Sequence, residues 1–152
     1  MTILCDPVPQ VAASVANYLH ELVQPVDGIP AAGDALVADP AEMVVVLGTG
    51  VELDDALYKQ SMQRIRSLGL AATARIIHGD LLKQDYASAD LLTVYLLPIA
   101  NEKLAPIFEK QLKKGARIVS HNSEFSGWTA VKVENIENDG EGHSHKLYLY
   151  QR

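Results

Sequence analysis

The sequence predicts an α/β domain built on a mostly parallel sheet, with helices on both faces and an antiparallel pair of strands at the C-terminal end. Strand-like and helix-like segments alternate along most of the chain, which is typical of this class. Several strand-like segments are near-continuous apolar runs, such as LLTVYLL at residues 91–97, as expected of strands buried on both faces. The last two strand-like segments are joined by a short polar turn, which favours an antiparallel pair.

The predicted elements follow one another from residue 10 to residue 150. After a first helix over residues 10–23 comes a segment, 24–43, whose three prolines and two glycines fit no long helix. The other elements are a buried strand at 43–53, a helix capped by Asp54 and stopped by Gly69, strands at 74–77 and 91–97, a helix capped by Asn101, a strand at 117–120, and the closing pair at 130–136 and 146–150. We expect one domain over residues 1–152, with a helical segment at 1–24 and an α/β core at 25–152.

Composition narrows the class of protein. The chain has 152 residues, of which 48% are apolar and 21% charged, as in ordinary globular domains. A net charge of −6 argues against a nucleic-acid partner, and no apolar run approaches the roughly 18 residues that span a bilayer. The start of the chain is not basic, and Cys5 is the only cysteine, so we expect a cytoplasmic protein. We expect no metal site, because His143 and His145 lie in a polar hairpin where solvation is the expected state. The oligomeric state is left open.

The stretch LGTGVELDD at residues 47–55 has two interpretations. Gly48 and Gly50 could form a loop that cradles a nucleotide, or they could belong to a strand whose functional residue is the acid that ends it. In a nucleotide-binding loop the ribose-binding acid lies about 20 residues further on. Asp80, the next acid that ends a strand, lies well beyond that distance, whereas Glu52 ends a strand itself and precedes a capped helix. We therefore assign the functional signal to Glu52 and the glycines to the strand.

Five segments in a fixed order resemble a known family. They are GVELDDALYKQSMQRIRSLGL, ARIIHGDLL, ADLLTVYLLP, LKKGARIVSH and a downstream Trp128, and together they cover about half of the chain. They resemble the class I S-adenosylmethionine-dependent methyltransferases. Within these, the resemblance is closest to small bacterial relatives of the mitochondrial lysine methyltransferases that modify the ATP synthase c subunit and the adenine nucleotide translocase. The resemblance implies a Rossmann-like methyltransferase fold, S-adenosylmethionine as cofactor, and methyl transfer to an amine, with a protein lysine as the expected acceptor.

The resemblance also implies roles for particular residues. Glu52 would bind the two ribose hydroxyls of the cofactor. Asp80 would bind the adenine amine, and Leu81 would lie beside it in the same site. Tyr95 and Pro98 would line the place where the methyl group meets its acceptor.

One segment departs from the family pattern. Family members carry an acid followed by Gly-x-Gly at the end of the first strand, and the corresponding residues here, 29–34, retain only Gly33 and Asp34. We expect these two residues to contact the cofactor, with lower affinity than an intact loop would give. The alternative function is a weak or inactive methyltransferase-like binding module that has lost the loop. A nicotinamide-dependent oxidoreductase is disfavoured, because Gly48-Thr49-Gly50 lacks the third glycine of that fingerprint.

Overall fold

The computed structural model describes residues 2–5, 47–137 and 142–152. The strands of these residues are β1 (Thr2–Cys5), β2 (Gly48–Glu52), β3 (Ala74–His78), β4 (Leu91–Tyr95), β5 (Arg117–His121), β6 (Lys132–Ile136) and β7 (His145–Gln151). They form one sheet in the order β3-β2-β1-β4-β5-β7-β6. Strands β1 to β5 pair in parallel, whereas β7 is antiparallel to both β5 and β6. The predicted mostly parallel sheet with an antiparallel C-terminal pair is confirmed.

The buried strand predicted at 91–97 is confirmed in position but is shorter. It lies between β1 and β5, and its first four residues, Leu91 to Val94, are buried. It ends at Tyr95, because the next helix begins three residues later at a proline. Strand β1 was not predicted from the sequence. The helix predicted at 10–23, and Gly33 and Asp34, lie outside the described residues.

Among the described residues, two helices pack on opposite faces of the sheet: α1 (Asp55–Ser67) and α2 (Pro98–Gln111). One face contributes the main core, in which Leu104 and Phe108 of α2 are fully buried together with strand residues that include Leu92 and Ile118. On the other face, the ring of Tyr58 in α1 stacks on His78 of β3, with centroids 4.9 Å apart. Within the described part of the chain, no helix is long and apolar enough to cross a membrane.

The start of α2 differs from the sequence prediction. The N-cap residue is Leu97, and Pro98 occupies the first helical turn, where its missing N–H costs nothing. Asn101 lies inside the helix and is fully buried. Its Nδ2 donates hydrogen bonds to Ser120 Oγ and to the carbonyl oxygen of Ser123. The prediction of Asn101 as a cap was therefore wrong, and its side chain instead ties α2 to the end of β5.

The predicted cap of α1 is confirmed, and its contribution can be measured. Asp54 Oδ1 accepts a hydrogen bond from the backbone N–H of Leu57 at 2.9 Å. Asp54→Ala removes this acceptor and should lower the free energy of unfolding by about 0.5–2 kcal/mol. Asp54→Asn keeps an acceptor at the same place and should lose much less. Urea denaturation of the three proteins compares them, and equal losses in both variants would contradict the capping role.

Candidate active site

Three side chains at the carboxyl edge of the sheet share one face. Gly50 of β2 and Thr93 of β4 both pair with residue 3 of β1, so these two positions lie on the same face of the sheet. Glu52 and Tyr95 each lie two residues further along and therefore keep that face. Their strands are separated by β1 alone, so the two backbones lie about 10 Å apart. His121, which ends β5, belongs to the same face because its ring contacts that of Tyr95.

Glu52 ends β2, as predicted, with both glycines inside the strand. Its Oε1 accepts a hydrogen bond from the backbone N–H of Asp54 at 2.8 Å, and its carbonyl oxygen accepts one from the N–H of Gly79 at 2.9 Å. Oε2 accepts no hydrogen bond from any residue that the structure describes. The carboxylate is half-exposed and held at the sheet edge, with acceptor capacity left for hydroxyl groups.

Asp80 follows β3 and caps the 3₁₀ helix Leu81–Lys83, an element the sequence did not predict. Its Oδ1 accepts a hydrogen bond from the N–H of Leu82 at 2.9 Å, and its Oδ2 lies 3.8 Å from Lys83 Nζ. The carbonyl oxygen of Leu81 accepts a hydrogen bond from the hydroxyl of Tyr86 at 2.7 Å. Burial, reinforced by the charge of Asp80, raises the pKa of Tyr86 to about 12, so this hydroxyl stays protonated and keeps donating. Asp80 and Leu81 are thereby fixed beside the end of β3.

Tyr95 lies next to an apolar rim. Its half-buried ring contacts the ring of His121, with centroids 4.3 Å apart and planes tilted by 46°. The chain then turns into α2 at Pro98, which is exposed, and the flanking Leu97 and Ile99 are 73% and 58% exposed. Large apolar side chains so open to solvent at one edge of a sheet are typical of a surface that receives a ligand or a partner.

The sequence interpretation missed a histidine pair at the same edge. His121 Nε2 lies 2.8 Å from His145 Nδ1, and the His121 side chain is buried, with 2% exposure. Burial, with a smaller contribution from His145, lowers the pKa of His121 to about 4. Its Nδ1 has no hydrogen-bond partner among the described residues.

The predicted solvation of His145 was wrong, because that ring is half-buried, whereas His143 is exposed. The pair forms because β5 and β7 are antiparallel and place His121 opposite Leu147, two residues from His145. Only the strand register could have revealed this contact. No group of three or more potential metal ligands occurs within the described ranges.

Comparison of the sequence with models of protein families identifies the family of this chain. Residues 32–132 match the model of the ANTKMT methyltransferase domain, which covers more than half of the chain. The chain belongs to the ANTKMT methyltransferase family.

Relatives of this ANTKMT-family chain agree with that placement. A protein-lysine N-methyltransferase of Saccharolobus islandicus (strain REY15A) is 34% identical over 118 residues, which are 78% of this chain and 72% of the relative. The crystal structure of an RNA methyltransferase from Salinibacter ruber in complex with S-adenosyl-L-homocysteine is 30% identical, with a TM-score of 0.61. That match covers 69% of this chain and 65% of the Salinibacter chain, so the present chain spans just under two thirds of that enzyme.

A more distant structure supports the fold alone. The Bacillus subtilis M1A22 tRNA methyltransferase TrmK is 12% identical with a TM-score of 0.61, over 99% of this chain and 59% of that one. The predicted family, the Rossmann-like methyltransferase fold and S-adenosylmethionine as methyl donor are confirmed, and the ANTKMT-family protein is a methyltransferase as predicted.

Proposed function

We propose that this protein transfers a methyl group from S-adenosylmethionine to a lysine side chain of another protein. The observation that carries the proposal is the placement of Glu52 and Tyr95 on one face of the carboxyl edge, separated by a single strand. In open α/β sheets this edge is where ligands bind, near the point at which the strand order reverses. The protein-lysine N-methyltransferase that is 34% identical supports lysine as the acceptor.

The residues at the edge fit the cofactor chemically. Glu52 retains acceptor capacity suited to two ribose hydroxyls. At the neighbouring strand end, Asp80 Oδ2 lies 3.8 Å from Lys83 Nζ, beyond hydrogen-bond distance, and so retains acceptor capacity for an amine donor. Leu81 contributes a half-buried apolar side chain that packs against the core beside Asp80. Gly33 and Asp34 lie outside the described residues, and their contact with the cofactor stays a prediction. Bound S-adenosylmethionine supplies a methyl group on a positively charged sulfur, whose bond to carbon breaks with the electron pair left on sulfur.

On the acceptor side, the protein has to orient a neutral amine and exclude water from it. The ring of Tyr95 and the exposed apolar Leu97 and Ile99, with Pro98 between them, provide a surface for the hydrocarbon part of a lysine side chain. Removal of the amine from water favours its neutral form, which carries the lone pair that reacts. Alignment and desolvation can supply a large part of the rate enhancement, so a catalytic triad is not required.

The test offers two classes of acceptor to the same enzyme. Methyl-labelled S-adenosylmethionine is incubated with the full-length protein and with a lysine-rich polypeptide or total RNA in separate reactions. Hydrolysis and mass spectrometry then identify the modified unit, with Glu52→Gln as the control for dependence on the site. We expect ε-N-methyllysine. Label in nucleobases with lysine unmodified would overturn the acceptor, and calorimetry that detects no binding of S-adenosylmethionine would favour the binding module.

A further inference from the structure

The histidine pair at the carboxyl edge contains a buried nitrogen whose hydrogen-bonding capacity is not used by the described residues. His121 is almost wholly buried, yet its Nδ1 has no hydrogen-bond partner among the residues that the structure describes. Buried polar atoms are normally paired, and an unpaired one costs free energy unless a ligand or water completes it. The ring lies against Tyr95, at the edge where the acceptor is proposed to bind. A ligand with an N–H group would satisfy Nδ1.

The bond between the two histidines controls what Nδ1 can do. One proton lies between His121 Nε2 and His145 Nδ1, which are 2.8 Å apart. If Nε2 of His121 donates it, Nδ1 of the same neutral ring carries a lone pair and can only accept. If His145 donates it instead, His121 Nδ1 carries a proton and cannot accept. The tautomer of His121 therefore decides whether it can bind an amine N–H.

We propose that His121 Nδ1 accepts a hydrogen bond from the amine that receives the methyl group, and that His145 is a positioning residue that holds His121 in the accepting tautomer. This inference rests on the proposed function. The ring of His121 contacts the rings of Tyr95 from β4 and His145 from β7, both of which are ionisable. The neighbouring Lys146 lies over the ring of Tyr148, at 5.3 Å from its centroid.

A neutral acceptor at this place would help the reaction in two ways. It orients the amine, because an N–H directed at Nδ1 fixes the direction of the nitrogen lone pair. During methyl transfer the amine nitrogen gains a bond to carbon and the positive charge, so its N–H groups become stronger donors. The hydrogen bond to Nδ1 therefore strengthens toward the transition state, which lowers the barrier. The proton that the product later loses goes to water.

The first experiment reads the tautomer directly and needs no turnover. Nitrogen-15 NMR of the full-length protein at neutral pH, with S-adenosylhomocysteine bound, should show His121 protonated at Nε2 and bare at Nδ1. Addition of n-butylamine as the probe at pH 9, where a much larger fraction of it is neutral than at pH 7, should shift the Nδ1 resonance of His121, while that of the exposed His143 should not move. A proton found on Nδ1, or no shift at saturating amine, would overturn the inference.

The second experiment separates catalysis from structure. His121→Phe removes the acceptor and should lower kcat about tenfold or more with a smaller change in KM, as expected for an interaction that strengthens in the transition state. His121→Gln keeps an acceptor oxygen and should recover part of the loss, and His143→Phe is the matched control with unchanged kcat. A rise in KM with kcat unchanged, or equal kcat values for His121→Phe and His121→Gln, would contradict the role. If the wild-type protein methylates no lysine but n-butylamine shifts the Nδ1 resonance of His121, the proposed function is wrong and the amine-binding site is supported.

Discussion

Glu52→Gln is expected to weaken the binding of S-adenosylmethionine or S-adenosylhomocysteine by roughly 10- to 150-fold. Glutamine keeps the size of the side chain and removes the charge that makes a carboxylate a strong acceptor of hydroxyl hydrogen bonds, which contribute about 1.5–3 kcal/mol. The half-exposed side chain at the end of β2 has one hydrogen bond from Asp54 within the described residues, to a single oxygen. Isothermal titration calorimetry measures the loss.

Two controls show whether the loss is specific to the site. Glu134→Gln makes the same chemical change on β6, where the carboxylate pairs with Lys132, and should leave affinity unchanged. Without ligand, the melting temperature of the Glu52 variant should barely move. Gly50→Ala, inside β2, should instead lower stability and affect the cofactor only indirectly. The assignment would be wrong if folded Gly50→Ala no longer bound the cofactor while Glu52→Gln bound it normally. The cofactor loop would then lie at the glycines.

Those parts of the fold that rest on local patterns could be predicted from the sequence. The apolar run that became β4 has no polar alternation, which identifies a strand buried on both faces. Glu52 could be placed at a strand end because a capping aspartate and a helix follow within three residues. Both signals lie within one short segment, so neither depends on how distant segments pack.

Other parts depend on tertiary contacts that a single segment does not reveal. Strand β1 has four residues, too few for a periodic pattern, and its partners are distant in the sequence. Asn101 has the chemistry of a cap, but Pro98 starts the helix earlier and leaves Asn101 to bond the end of β5. The contact between His121 and His145 depends on the antiparallel register of β5 and β7. A one-residue change of register would turn one of these side chains to the opposite face.

The rate of methylation is expected to rise about 100-fold between pH 7 and pH 9 when a lysine peptide is the acceptor. The lysine amine has a pKa near 10.4 in water, so below that value its neutral fraction increases about tenfold per pH unit. The apolar rim of Leu97 and Ile99 removes water from the bound amine and lowers its pKa, so the rise should flatten before pH 10. His121, with a pKa of about 4, stays neutral over the whole range and adds no slope.

Initial rates at saturating cofactor measure this profile, and the affinity for S-adenosylhomocysteine at each pH separates binding from reaction. A second peptide, in which a sulfur atom replaces one methylene of the lysine side chain, carries a more acidic amine and is the matched control. Its rate should reach a plateau at lower pH than that of lysine, because the plateau follows the pKa of the acceptor. Profiles that are flat from pH 7 to 9, or that coincide for the two peptides, would show that loss of the amine proton does not limit the reaction. In that case the surface at Tyr95 would not act by selecting the neutral amine.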